Sequence, residues 1–357
     1  MAYTTVPKST DYFDTTIYTG NGSSQTLTMD NLGLLWMKNR TETSNHNLFD
    51  SVRGGHYTSD PGPNLRPNDT TTGHGSDITS AYGITFGSSS STIGSDGGGY
   101  NYNQNSKSYV GWQWRAGSSA SSNTAGTINT TATSVDTTAG FSISTYTGTG
   151  SNATVGHGLG VAPKFIMFKR LDSADDWTIY HHMLGATKKI DLNNTGAAST
   201  VSNVFNDTAP TTTVMSVGTN GRTNASGGKY VAYAFAEKQG YSKFGTYTGS
   251  GNDDGAFIWT GFAPKLVICK RYNNTEQWTV TDSVRDNNVS PNFARLNSDT
   301  TSAESTNTTW ARIDKFSNGF KMRGTDTVSN GSGDTYIYMA FGQSIVGSNN
   351  VPATGQN

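Results

Sequence analysis

Six histidines, a few acidic clusters and a repeated basic pair are the residues that could do chemistry in this chain. The histidines are His46, His56, His74, His157, His181 and His182. None shows the helical His-x-x-x-His spacing of a metal site. Neighbours on a strand point to opposite faces, so His181 and His182 are expected to stabilise a strand end and not to share a metal. Asp172, Asp175 and Asp176 form one oxygen-rich cluster; Asn252, Asp253 and Asp254 form another. Calcium uses 6–8 such oxygens, but no EF-hand loop is present, and turn formation accounts for both clusters. A glycosidase needs two carboxylates facing across a groove. Asp50 and Asp282 occupy matching places in a repeat, yet His181 takes that place in the middle copy. A position that varies between copies reads as structural. No Gly-x-Ser-x-Gly elbow, P-loop or dinucleotide fingerprint occurs. The expectation is a protein without catalysis, metal or cofactor.

The elements that position these residues come from a repeat, which decides the architecture. Tyr247 opens YTGSGNDDGAFIWTGFAPKLVICKR, Tyr146 opens YTGTGSNATVGHGLGVAPKFIMFKR, and Tyr18 opens YTGNGSSQTLTMDNLGLLWMKNR. Each has Tyr-Thr-Gly-x-Gly, where glycine supplies positive φ for a turn. An apolar run and basic residues follow. Each copy closes on an aromatic strand, at Tyr109, Tyr230 and Tyr336. Short alternating or buried runs between dense turn signals predict strands, and no window keeps a helical period.

The predicted fold is all-β, with three tandem antiparallel β-sandwich, jelly-roll-like modules at 17–117, 145–245 and 246–345. Residues 1–16 read as an arm that docks elsewhere or frays. Residues 118–144 read as a linker that adds a strand to one module, and 346–357 as a flexible tail. The short hinge EKQGYSKFG predicts that modules two and three form a rigid rod.

Composition narrows the class. Leu, Ile, Val and Phe are about a sixth of the chain, but 15 Phe, 17 Tyr and 7 Trp compensate. Large rings bury much area each, so an ordered, thin-cored β protein is expected, with neighbouring modules or subunits supplying part of the burial. The net charge of −1 gives no basic face for nucleic acid. No apolar stretch reaches the ~20 residues of a membrane helix, and MAYTTVPKST has no secretory h-region. Cys269, the single cysteine, reads as a buried hydrophobe.

Two surfaces are candidates for contact. Lys169, Arg170, Lys270 and Arg271, with Lys38 and Arg40 in the first copy, end the apolar runs. They read as solvated strand ends or as contacts to a neighbouring subunit or an anionic glycan. The loops 54–80 and 87–106 carry His56, Tyr57, His74, Tyr82, Tyr100 and Tyr102. Exposed rings stack on sugar C–H faces, so these six are the expected ligand-binding residues.

The phrases TTAGFSISTYTGTGSNATVGHGLGVAPKFIMFKR (137–170), YVAYAFAEKQGYSKFGTYTGSG (230–251) and NHNLFDSVRGG (45–55) resemble a module of structural proteins from marine tailed bacteriophages, cyanophages among them. Module one departs from the pattern, with no Pro before its apolar run and longer loops. The resemblance implies a virion component of the tail-fibre or appendage type. Its expected partners are other virion proteins, further copies of itself (a trimer is favoured) and a host-surface glycan. Neither nucleic acid nor membrane insertion is expected. A purely structural adaptor or decoration of capsid or tail is the alternative, and a polysaccharide depolymerase the second.

Overall fold

The computed structural model describes residues 4–27, 32–58, 62–73, 78–87, 90–96, 99–286, 293–306 and 312–344. The fold is all-β and its sheets are antiparallel, as the repeats predict. Each copy builds one large sheet. The first contains β1 (Phe13–Thr19), β3 (Gly33–Asn39), β4 (Asn47–Asp50) and β7 (Ser108–Arg115), in the order β1-β7-β3-β4. The third repeats this order with β17 (Ser242–Thr248), β23 (Thr335–Ser344), β19 (Phe262–Arg271) and β20 (Trp278–Asp282). The second has β9 (Phe141–Thr147), β16 (Lys229–Phe235), β11 (Phe165–Arg170) and β12 (Thr178–His181). β13 (Lys188–Asp191) and β14 (Ser199–Thr200) extend it beyond β12, and β8 (Ala132–Asp136) extends it beyond β9. That last strand is the addition expected from 118–144. The first strand of each copy starts ahead of its opening Tyr, so residues 13–16 and 141–144 belong to sheets.

A small sheet covers the outer face of each large one, making the sandwich. These are β2 (Gln25–Leu27), β6 (Ser91–Ile93) and β5 (Ile84–Thr85); β10 (Ala153–Gly156) with β15 (Val214–Val217); and β18 (Phe257–Trp259), β22 (Gly319–Arg323) and β21 (Arg312–Phe316). Each sandwich has its own apolar core.

The inner faces of the three large sheets meet in a fourth, shared core. It contains Leu34, Trp36, Trp112 and Trp114 of the first copy, Phe165, Met167, Tyr233 and Phe235 of the second, and Leu266, Ile268, Met339 and Phe341 of the third. Trp114, Phe235 and Phe341 come from equivalent positions and touch pairwise, with centroids 5.6 to 6.0 Å apart. They mark the axis of an internal pseudo-threefold. The rod expected for modules two and three is therefore not formed. The apolar inner faces bury one another around an axis instead of lining up end to end. The N-terminal segment is part of the same body: Thr4 and Val6 are buried, and Val6 belongs to the shared core. The tail 346–357 lies outside the described residues.

Polar bonds repeat around the axis. Asp50 Oδ2 accepts from Tyr233 Oη at 2.7 Å, and Asp282 Oδ2 accepts from Trp112 Nε1 at 2.9 Å. At the matching place His181 Nε2 lies 3.2 Å from the Tyr338 carbonyl. Each bond joins one copy to the next, and together they close a ring. The position facing His181 holds Met339, where the other copies present Tyr233 or Trp112. A thioether offers a carboxylate no proton, so a donor replaces the acid and bonds main chain instead. Asp282 also pairs with Arg285 at 2.5 Å, both fully buried. Arg285 also pairs with Glu304 at 2.9 Å, so removing Asp282 leaves the buried guanidinium partly paired and Trp112 Nε1 without its acceptor, at about 3 kcal/mol. Asp282→Ala should lower stability by that amount in equilibrium urea unfolding; a loss below about 1 kcal/mol would contradict this placement.

Candidate functional site

The basic residues that end the apolar runs turn inward. Lys38, Lys169 and Lys270 take the same position on β3, β11 and β19, and all are buried. Lys169 Nζ donates to the Thr70 carbonyl at 2.9 Å and to the Asp175 carbonyl at 2.7 Å. Lys270 Nζ donates to the Thr195 carbonyl at 3.0 Å and to the Glu276 carbonyl at 2.5 Å. In both cases the threonine lies in the preceding copy, so each ammonium fastens two copies together. Lys38 Nζ donates to the Asn39 carbonyl at 2.7 Å. Burial pushes each of these three ammoniums down to about 8. Lys169 and Lys270 thus cannot meet a glycan or another subunit, and the solvated strand end is equally overturned. A lysine's point charge satisfies carbonyls that would otherwise be buried without partners. Arg170 and Arg271 remain partly exposed, paired with Asp172 at 2.9 Å and with Asp334 at 2.5 Å.

His46, His181 and His182 also face neighbouring copies. His46 Nδ1 accepts from Trp36 Nε1 at 2.9 Å, and its Nε2 lies 3.0 Å from the Asn297 carbonyl of the third copy. Trp177 and Trp278 stand at the equivalent positions and donate across the next two junctions, to the carbonyls of Arg66 and Asp191. Both His181 and His182 reach the third copy, their rings stacked 5.3 Å apart; His182 Nε2 lies 3.0 Å from the Phe244 carbonyl. Burial drives His46 and His181 down to about 3. Of the acidic clusters, Asp176 pairs with Arg222 at 2.6 Å, Asp253 with Arg312 at 2.5 Å, and Asp254 with Lys321.

The Tyr-Thr-Gly-x-Gly segments form a structural clasp. Tyr18, Tyr146 and Tyr247 stack on Tyr109, Tyr230 and Tyr336 at 4.8 to 5.2 Å. Beside each stack a buried asparagine, Asn103, Asn224 or Asn330, holds the turn through both its amide oxygen and its amide nitrogen. The first glycine is required by close approach: a Cβ on Gly148 would meet the Ala225 carbonyl oxygen at 2.3 Å. The second takes positive φ in all three copies, at Gly22, Gly150 and Gly251.

Loop aromatics expected to bind sugar are partly core. Tyr102 is fully buried; its hydroxyl donates to the Tyr82 carbonyl, and its own carbonyl accepts from Tyr18 Oη at 2.6 Å. Tyr100 stacks on it at 6.0 Å. Those rings fill the first sandwich because its large and small sheets need apolar volume between them. Tyr57 and Tyr82 are half-buried, and His56 is exposed. His74 lies outside the described residues.

The exposed rings gather elsewhere, on the small sheet of the third copy. Phe257 is 46% exposed, Trp259 56% and Phe316 42%, while Ile258 between the first two faces the core. Phe257 and Phe316 contact edge to face, with centroids 5.9 Å apart. Trp259 and Phe316 both lie opposite Gly319, where a Cβ would meet the Phe257 ring at 2.7 Å. Lys243 Nζ lies 5.4 Å from the centre of the Trp259 ring, and the Lys321–Asp254 pair borders the patch. In the second copy the matching strand is covered by this chain's own residues 123–128. Thr127 bonds Thr154 in both directions, and Ile128 bridges Val155. The signal was present in the sequence. In GAFIWTGF large rings alternate about Ile258, where the second copy has Thr154 and Gly156 about Val155.

Fold and surface together define an almost wholly β, internally threefold protein whose polar repeat residues join its copies and whose third copy carries an open aromatic face. The chain belongs to the family described as Domain of unknown function (DUF7483), whose model matches residues 8–344. No curated protein and no solved structure matches it.

The buried histidines set an acid limit. Each keeps a folded value near 3 against 6.5 unfolded. The unfolded chain therefore takes up protons first as pH falls, and stability that is full above 6.5 is lost toward 3, by up to about 1.4 kcal/mol per pH unit for each histidine. Urea midpoints measured from pH 6.5 to 4.5 should fall less steeply for His181→Asn than for the wild-type chain. Equal slopes would show that His181 is not held neutral.

Proposed function

We propose that the chain is a non-enzymatic component of a phage particle, of the tail-fibre or appendage type, that contacts a host-surface glycan through the aromatic face of its third copy. The observation that carries this reading is the cluster Phe257, Trp259 and Phe316. Indole and phenyl rings held open on a rigid sheet offer planar faces to sugar C–H groups, and the bordering Lys321 and Asp254 offer hydrogen bonds to hydroxyls. Exposed aromatic patches with a polar rim mark contact surfaces in general. The absence of catalysis remains part of the proposal. It is supported by the occupation of Asp50, Asp282, His46 and His181 in bonds between copies. The trimer favoured for fibre proteins has a counterpart here within one chain, since three copies already surround an axis.

A glycan array probed with the purified chain, followed by titration of host polysaccharide, tests the reading. Trp259→Ala should weaken polysaccharide binding at least about tenfold, the loss of roughly one good stacking contact, with an unchanged melting temperature. If the polysaccharide is ignored and Trp259→Ala instead blocks incorporation into particles, the structural adaptor replaces this reading. Release of reducing ends from the polysaccharide would establish the depolymerase.

A further inference from the structure

An asparagine performs the same task in the first two copies, and an acid stands in its place in the third. At the entry to β4, Asn68 Oδ1 accepts from the His46 N–H; at the entry to β12, Asn193 Oδ1 accepts from the Trp177 N–H, both at 2.8 Å. The amide nitrogen of the same side chain then donates to the preceding residue. Asn68 Nδ2 bonds Asn45 Oδ1 and Asn193 Nδ2 bonds Asp176 Oδ1, again at 2.8 Å. Each asparagine thus uses one acceptor and one donor on two consecutive residues. At the entry to β20 the corresponding residue is Asp299, whose Oδ1 accepts from the Trp278 N–H at 3.0 Å. The residue before Trp278 is Gln277, and its side-chain oxygen also serves as an acceptor, since Asn297 Nδ2 donates to it. By this equivalence Asp299 Oδ2 takes the place of the asparagine Nδ2. It is shut off from solvent and has no hydrogen-bond partner.

We propose that Asp299 is a proton-operated substitute for the asparagine: once its carboxyl is protonated, Oδ2–H donates to the Gln277 amide oxygen and completes the pair of bonds that the sister copies hold permanently. An ionised carboxylate only accepts, so the charged form supplies no proton for this bond. The surroundings favour the neutral form. Burial is the chief cause, and with Glu276 it pushes the carboxyl up to about 6; the N–H groups of Trp278 and of Asp299 itself and the Lys270 ammonium oppose the rise. Lys270 Nζ is engaged with the Thr195 and Glu276 carbonyls. The Glu276 carboxylate accepts from Gln277 N at 3.0 Å and from Thr327 Oγ1 at 2.8 Å. Lys270 and Trp278 both bond the second copy, so the turn that Asp299 braces lies at the junction of the second and third. The folded value lies above the ordinary 3.8, so the folded chain takes up this proton first as pH falls. The contribution of the bond is absent well above 6 and complete below 3.8. Burial holds His181 and His182 at the same junction below their usual value, so acid weakens their contacts. Asp299 therefore offsets part of that loss in mild acid. The inference stands apart from glycan contact, since the aromatic face lies on the small sheet.

Equilibrium urea unfolding of the full-length wild-type chain and of Asp299→Asn, from pH 7 to pH 4.5, tests it. The ratio of the two unfolding constants cancels the histidines and every other group the chains share. Asp299→Asn restores the residue of the sister copies. At pH 7 its unfolding constant should be at least about tenfold smaller than that of the wild-type chain. That advantage should shrink by about tenfold per pH unit as pH falls below about 6. Infrared spectra at pH 5 should show the carbonyl stretch of a protonated carboxyl in the difference between wild type and Asp299→Asn, and the band should vanish at pH 7.5. A ratio indifferent to pH, or an advantage that grows in acid, would overturn the proposal. Either would mean that Asp299 is ionised in the fold, with Gln277 turning its amide nitrogen toward it. An infrared difference without the acid band would overturn it as well.

Discussion

Burial of the three inner faces depends on all three sheets at once. A four-stranded sheet carrying Trp36, Trp112 and Trp114 on one face has to cover that face, since each large ring left in water forfeits roughly 1.5–3 kcal/mol. One small sheet covers the outer side only. The inner side is closed by the other two copies, with Trp114, Phe235 and Phe341 in mutual contact where the sheets converge. A thin aliphatic composition is thereby reconciled with a well-packed body: aromatic rings fill a common space that no single copy encloses.

Once the faces are pressed together, every polar group at the junctions needs a partner, because an unpaired buried group costs about 1–3 kcal/mol. The copies meet much of this need with bonds repeated around the ring, although Trp114 Nε1 is buried there without a partner. Buried lysines take carbonyls from the preceding copy; Trp177, Trp278 and His46 donate across three successive junctions. Asp282 shows how far the arrangement goes. Burial alone would raise its carboxyl, yet the Arg285 guanidinium, with help from Trp112 Nε1, holds it below the ordinary range. Where Met339 replaces a donor, His181 replaces an acid and bonds the Tyr338 carbonyl instead.

The copies are alike at these junctions and differ on their outer surfaces. The second is padded by residues 118–136, which supply β8 and cover β10. The third exposes Phe257, Trp259 and Phe316. The first exposes Ile17. Gene duplication followed by independent change fits this pattern: the internal contacts are constrained by two neighbours each, whereas a side chain facing water is constrained by none until it acquires a partner.

The chain's own residues specified the repeat, the all-β class, the glycine turns and the added strand within 118–144, because period, turn chemistry and strand propensity are local properties. The structural reading of Asp50, His181 and Asp282 also came from comparing copies. The shared axis did not appear. A sheet buried on both faces has the same apolar run whether its second cover is a domain, a subunit or a sister copy. For the same reason Lys169 and Lys270 looked solvated, Tyr102 looked available and Trp259 was not singled out: exposure is set by what packs against a side chain from distant sequence. Only the assembled sheets decided which cations carry main-chain oxygens, which rings fill the interior and that Phe257, Trp259 and Phe316 remain in water.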